Sequence, residues 1–233
     1  MVPNTHAVYL EIGKKKVFAG AVEWPGWCRP GRDEASAMQA LLDAGPRYAQ
    51  ALRATGLGFI APEDAASFNV IERLDGNSTT DFGAPDMAIS RDEDPIDGRE
   101  LERLGTLLKA CWRAFDEAIE TAEGKELRKG PRGGGRDLSG IIEHVVEADV
   151  AYLGRLGWRI EKVGDEDLDQ RRERIRAGIL DGLAAAAAGE LPEKGPRGGK
   201  RWGPRFFVRR VAWHVLDHAW EIEDRIIQTA ARG

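Results

Sequence analysis

The sequence predicts an α+β protein of two domains, a small β-β-α unit within residues 1–96 followed by a four-helix bundle over residues 97–233. Strand-type composition is concentrated near the start, with β-branched and aromatic residues either side of a glycine turn. Four stretches with helical apolar recurrence fill the second half. The polar run Arg91-Asp92-Glu93-Asp94-Pro95 reads as the linker between them, with the boundary near Pro95.

Residues 8–12 and 16–22 form the expected hairpin around Gly13-Lys14-Lys15. Residues 23–33 hold two prolines and two glycines and read as a loop. A helix follows over about residues 34–54, with Met38, Leu41, Leu42, Tyr48 and Leu52 as its apolar face and Gly45-Pro46 expected to break or kink it. Residues 67–73 read as a strand that can extend the sheet, residues 75–78 as a turn, and residues 79–85 as loop or short edge strand.

The first bundle helix is expected over about residues 97–122, where Leu101, Leu104, Leu107, Leu108, Cys111, Trp112, Phe115 and Ile119 recur as an inward stripe. The second covers residues 138–153, the third about residues 170–188 with five closing alanines, and the fourth about residues 204–231. Lys-Gly-Pro-Arg-Gly-Gly occurs twice, at residues 129–134 and 194–199, each time ahead of a histidine-bearing helix. Basic glycine-rich segments at helix starts can hold anions; the alternative is a solvated connector, and neither segment has Walker spacing.

The chain has four histidines, and two of them, His214 and His218, stand four residues apart in the last helix. That spacing puts both on one face about 6 Å apart along the axis, within reach of one metal ion. A third ligand has to come from His6 or His144. His144 is the better choice, because Ile141, Val145, Ala148 and Tyr152 flank it closely enough to turn it toward the core. The competing reading is that of hydrogen-bonded packing histidines. Three imidazoles leave a coordination position open, which suits catalysis better than a sealed structural site, and they accept Zn, Ni or Fe. Glu147 and Glu221, near His144 and His218, are candidate partners of the ligands.

One histidine early in the second helix of an α-helical region, followed by a pair four apart in the last, resembles the DinB/YfiT-like metalloenzyme superfamily over roughly residues 97–233. The resemblance implies an up-down-down-up bundle and a metal site of His144, His214 and His218. It also implies an ion that activates water or a low-molecular-weight thiol, since the superfamily includes mycothiol- and bacillithiol-dependent enzymes. The order strand, strand, Trp-Pro-Gly-Trp-Cys, helix over residues 7–54 resembles the HicB-like fold, whose relatives pair with a toxin or DNA. No ribbon or helix-turn-helix reader accompanies it, so a substrate-covering or dimerising appendage is expected.

Length and composition bound the rest. With 233 residues, 42% hydrophobic and 31% charged, the chain reads as an ordinary soluble protein. Its net charge of −5 gives no general attraction for nucleic acid or anionic membrane. Cys28 and Cys111 lack metal-type spacing and fit a reducing compartment, and no apolar run approaches a membrane span, so a cytoplasmic protein is expected. The functional expectation is a metal-dependent transferase or hydrolase acting on a small molecule, with a homodimer as a possible assembly. The alternative is a non-catalytic metal-binding stress or regulatory module that binds a protein or nucleic-acid partner.

Overall fold

The computed structural model describes residues 5–129, 135–161, 163–195 and 199–227. The fold is α+β. Its first half builds a four-stranded sheet of order β3-β2-β1-β4 from β1 (His6–Ile12), β2 (Val17–Ala21), β3 (Cys28–Gly31) and β4 (Phe68–Asp75). The expected hairpin pairs β1 with β2 antiparallel, from Val8↔Ala21 to Ile12↔Val17. Two further strands extend the β-β-α reading. Within the expected loop, β3 pairs with β2, and it tolerates Pro30 because it is an edge strand whose outer side needs no donor. β4 runs parallel to β1 on the other edge, from His6↔Phe68 to Ile12↔Asp75.

The crossover to β4 contains α1 (Glu34–Ala51), capped by Asp33, whose side chain accepts from Ser36 N. Pro46 does not break this helix. Gly45 before it has no Cβ to clash with the pyrrolidine ring, which removes part of the usual obstacle. Trp27 fastens the helix to the sheet by donating from Nε1 to the Leu41 carbonyl at 2.9 Å, and it stacks on Tyr48 at 5.9 Å.

The expected loop or edge strand after Asn77 is instead a short helix, α2 (Ser78–Phe82), because the Asn77 side chain accepts from the amides of Thr79 and Thr80. The expected polar linker contains a 3-10 turn, Ser90–Glu93. Asp92 there is buried, accepting from Ile89 N and from Nε of Arg209 at 2.9 Å. An acidic side chain that looked solvated is thus drawn inward by a distant guanidinium.

The second half consists of α3 (Gly98–Ala122), α4 (Leu138–Leu156), α5 (Leu168–Ala187) and α6 (Pro204–Arg225), making six α-helices among the described residues. Contacts at separate levels give their directions. Glu100 meets Arg205 at the starts of α3 and α6, and Leu127 bridges to Ile226 beyond their ends, so the two run the same way. His144 meets His218 while Tyr152 meets Arg210, so α4 opposes α6. Asp116 meets Arg176 while Gly105 lies beside Leu180, so α5 opposes α3. α4 and α5 therefore run together, and Leu153 packs where Gly182 leaves room for it.

Fifteen of the 22 residues of α6 are buried, because the helix is covered on several sides. Phe18 of the sheet meets Trp213 edge-on at 6.0 Å, and Arg29 donates to Asp217 at 2.8 Å. One apolar cluster continues from Val8, Leu10 and Trp27 through Leu107 and Phe115 to Val211 and Leu216. α6 was expected to reach residue 231; it ends at Arg225, after which Ile226 pairs with Leu127, and residues 228–231 lie outside the described ones. Among the described residues no helix is long and apolar enough to cross a membrane.

Candidate metal centre

Val211, Val215, Leu216, Ala219 and Ile222 are all buried, which fixes the rotation of α6 and directs His214 and His218 toward α4. Their ring centroids are 4.6 Å apart. Because α4 opposes α6, His144 in its first turns faces both, at 5.1 Å from His214 and 4.9 Å from His218. The three residues singled out in the sequence thus converge, with one ligand nitrogen from each within 4.8 Å of the others. Nε2 of His144 and Nε2 of His214 are 3.3 Å apart. Two nitrogens bound at about 2.05 Å to a tetrahedral ion lie about 3.3 Å from each other, so this spacing suits shared coordination.

Burial and neighbouring positive groups keep His144 and His214 in the neutral form. Burial pushes the His214 pKa well below its ordinary value, and the neighbouring His218, His144, Arg210 and Arg136 push it in the same direction. The His144 pKa is lowered mainly by burial, then by His218 and Arg136, with Glu221 and Glu147 opposing. Neutral imidazole is the form that binds metal. Nδ1 of His214, the ring nitrogen not facing His144 Nε2, is buried with no hydrogen-bond partner.

Glu221 accepts from Nδ1 of His218 at 2.8 Å and from Nη1 of Arg225 at 2.6 Å. Its pKa is lowered, first by the hydrogen bond from His218. Arg225 also donates to the carbonyls of Arg128 at 2.8 Å and Arg136 at 2.9 Å. The other carboxylate considered, Glu147, is exposed, with no hydrogen bond to any of the three histidines. His6, the alternative third ligand, is placed elsewhere, with Nε2 against the Ile60 carbonyl and its ring 5.1 Å from Trp27.

Several neighbours of the centre were not evident in the sequence. Tyr152 packs edge-on against His214 at 5.6 Å, and its hydroxyl accepts from Nη2 of Arg210 at 3.2 Å. On α4, Asp149 is buried; its Oδ1 has no partner and burial raises its pKa to about 8. The helical period of Ile141, Val145 and Tyr152 would have placed Asp149 inward, but an acidic residue in such a stripe is easily read as a boundary position. Of the basic glycine-rich segments, Arg132 and Arg197 lie outside the described residues; Arg136 is at the histidine end, and Lys200 and Arg201 precede the opposite end of α6.

Comparisons with protein-family models, with curated proteins and with solved structures find no match to this chain.

Proposed function

We propose that the chain is a metal-dependent enzyme whose divalent ion is held by His144, His214 and His218 and which acts on a small molecule by transfer or hydrolysis. The convergence of three imidazole nitrogens within 4.8 Å carries this reading. An ion on three such ligands keeps a position free, where it would lower the pKa of a bound water or low-molecular-weight thiol. Glu221 would fix the ring of His218 with Nε2 toward the ion, and Arg225 would hold Glu221. Zn, Ni and Fe all fit an all-imidazole set.

A DinB-like up-down-down-up bundle is part of the same proposal. Support for it comes from the shared direction of α3 and α6, that of α4 and α5, and the opposition between these pairs. In this reading the HicB-like region serves as a cover for the α6 flank, consistent with the packing of Phe18 on Trp213.

One observation favours the non-catalytic alternative, a metal-binding regulatory module. A ligand-sized cavity of about 620 Å³ lies beside Trp202 and Phe206 at the opposite end of α6, and none of the three histidines lines it. Metal analysis of purified protein tests the common premise: wild type should carry about one ion per chain and His214→Ala/His218→Ala none. Equal, sub-stoichiometric metal in both would remove the basis of both readings. With metal shown, thiol-dependent turnover of small electrophiles separates enzyme from module.

A further inference from the structure

His144 sits in the second turn of α4, and helical side chains lean back toward the start of their helix, so its ring is carried toward the first turn. That turn holds Gly140, on the same face as His144. A Cβ at Gly140 would lie 3.1 Å from Cβ and 3.6 Å from Cγ of Arg136, so the stem of Arg136 occupies the room that glycine leaves. The backbone of Arg136 is fixed as well. Its carbonyl accepts from Nη2 of Arg225 at 2.9 Å, and Nη1 of the same guanidinium holds Glu221, the partner of His218.

The charged groups around the centre are unevenly engaged. Glu221 is taken up by His218 and Arg225, and Asp137 by capping α4 at the amide of Gly140, 2.8 Å away. Glu147 is exposed and bonded to none of the three histidines. Arg136 is exposed too, and its guanidinium has no ion pair or hydrogen bond among the described residues. Burial is the first cause of the lowered pKa of both His144 and His214, and the charge of Arg136 adds to it in both. With a divalent ion on neutral imidazoles, the centre carries a surplus of positive charge that favours an anionic ligand.

We propose that Arg136 receives a carboxylate of the small-molecule substrate, whose reacting group takes the open position on the ion held by His144, His214 and His218. The assignment rests on the metal-dependent reading above and narrows its substrate class to molecules with a carboxylate a few bonds away from a metal-binding thiol or oxygen. A planar guanidinium meets a carboxylate in two parallel hydrogen bonds, so such a substrate is oriented as well as held. Arg225 fixes where Arg136 starts and Gly140 where its stem runs, which delivers the guanidinium to the side of α4 that carries His144.

Full-length protein loaded with Co(II) reports thiolate binding through its charge-transfer absorption. 3-Mercaptopropionate and its neutral isostere 3-mercaptopropionamide then separate the two contacts. Wild type should bind the carboxylate about 10-fold more tightly than the amide; Arg136→Gln should lose that factor for the carboxylate with its affinity for the amide unchanged, and Arg136→Lys should recover part of the loss. An equal preference for the carboxylate in wild type and Arg136→Gln would overturn the assignment. So would a variant that weakens both thiols alike, which would show that Arg136 only supports the centre through Arg225. Failure of the metal-dependent reading has a different signature: wild type would retain no cobalt, or neither thiol would change its spectrum, and the assignment would fall with it.

Discussion

The carboxylate of Glu221 receives the Nδ1 proton of His218 across 2.8 Å while Arg225 holds its other oxygen at 2.6 Å. An ionised carboxylate has no proton to give, so Nδ1 must be the protonated nitrogen, and Nε2 keeps the lone pair that a metal needs.

Glu221→Gln should therefore weaken metal binding without removing it. The amide can present its nitrogen to Nδ1 and favour the wrong tautomer, and the expected loss in affinity is about 10- to 100-fold. Competition titrations with a chromophoric chelator measure it. Unchanged affinity would show that Glu221 does not orient His218.

Removing metal should make stability sensitive to mild acid. The pKa values of His144 and His214 are lowered in the folded protein, so on acidification the unfolded chain takes up protons first, near the ordinary histidine pKa of 6.5. Stability of the metal-free protein is fully present above that pH and declines as pH falls through it. Denaturant melts at pH 7 and pH 5 should differ, and His214→Gln should reduce the difference. Some dependence will persist, because burial lowers the His6 pKa as well.

Asp149 should act with the opposite sign. Its carboxyl, raised by burial from 3.8 to about 8, remains protonated when folded while the unfolded chain ionises. Stability from this group is thus greatest below about pH 4 and declines as pH rises toward about 8. Asp149→Asn removes the titration and should gain on the order of 2 kcal/mol relative to wild type at pH 8, with little gain at pH 4. Parallel pH-stability curves for the two proteins would contradict this account.

The ion pair of Asp92 with Arg209 has side chains only 4% and 8% exposed. Asp92→Ala leaves a guanidinium buried without its counter-charge and should cost about 3–5 kcal/mol in equilibrium unfolding. Replacing both partners, as Asp92→Ala/Arg209→Met, should recover much of that loss. A double variant as unstable as the single one would show that the space around the pair cannot be refilled by apolar atoms.

What the sequence made legible was governed by local period. The stripe through Leu104, Leu107, Leu108, Cys111 and Phe115 marks α3 because all of it is buried on one side of a single helix. The spacing of His214 and His218 is similarly local, and the flanking residues of His144 gave its inward direction. Features set by distant partners were not legible. Arg209, Arg210 and Arg225 look like solvated charges in the sequence, yet Asp92, Pro85 and Glu221 hold them inside. β3 was hidden by Pro30, whose acceptability depends on strand order, and α2 by the cap at Asn77, which resembled a turn.

The burial of fifteen residues in α6 also bears on how the gene can change. Positions with more than half their surface exposed, such as Ile71 and Val163, can accept new residues one at a time. Most positions in the last helix answer to the sheet, to α3 or to the histidine cluster. As lineages carrying this chain diverge, α6 should be the stretch whose spelling drifts most slowly.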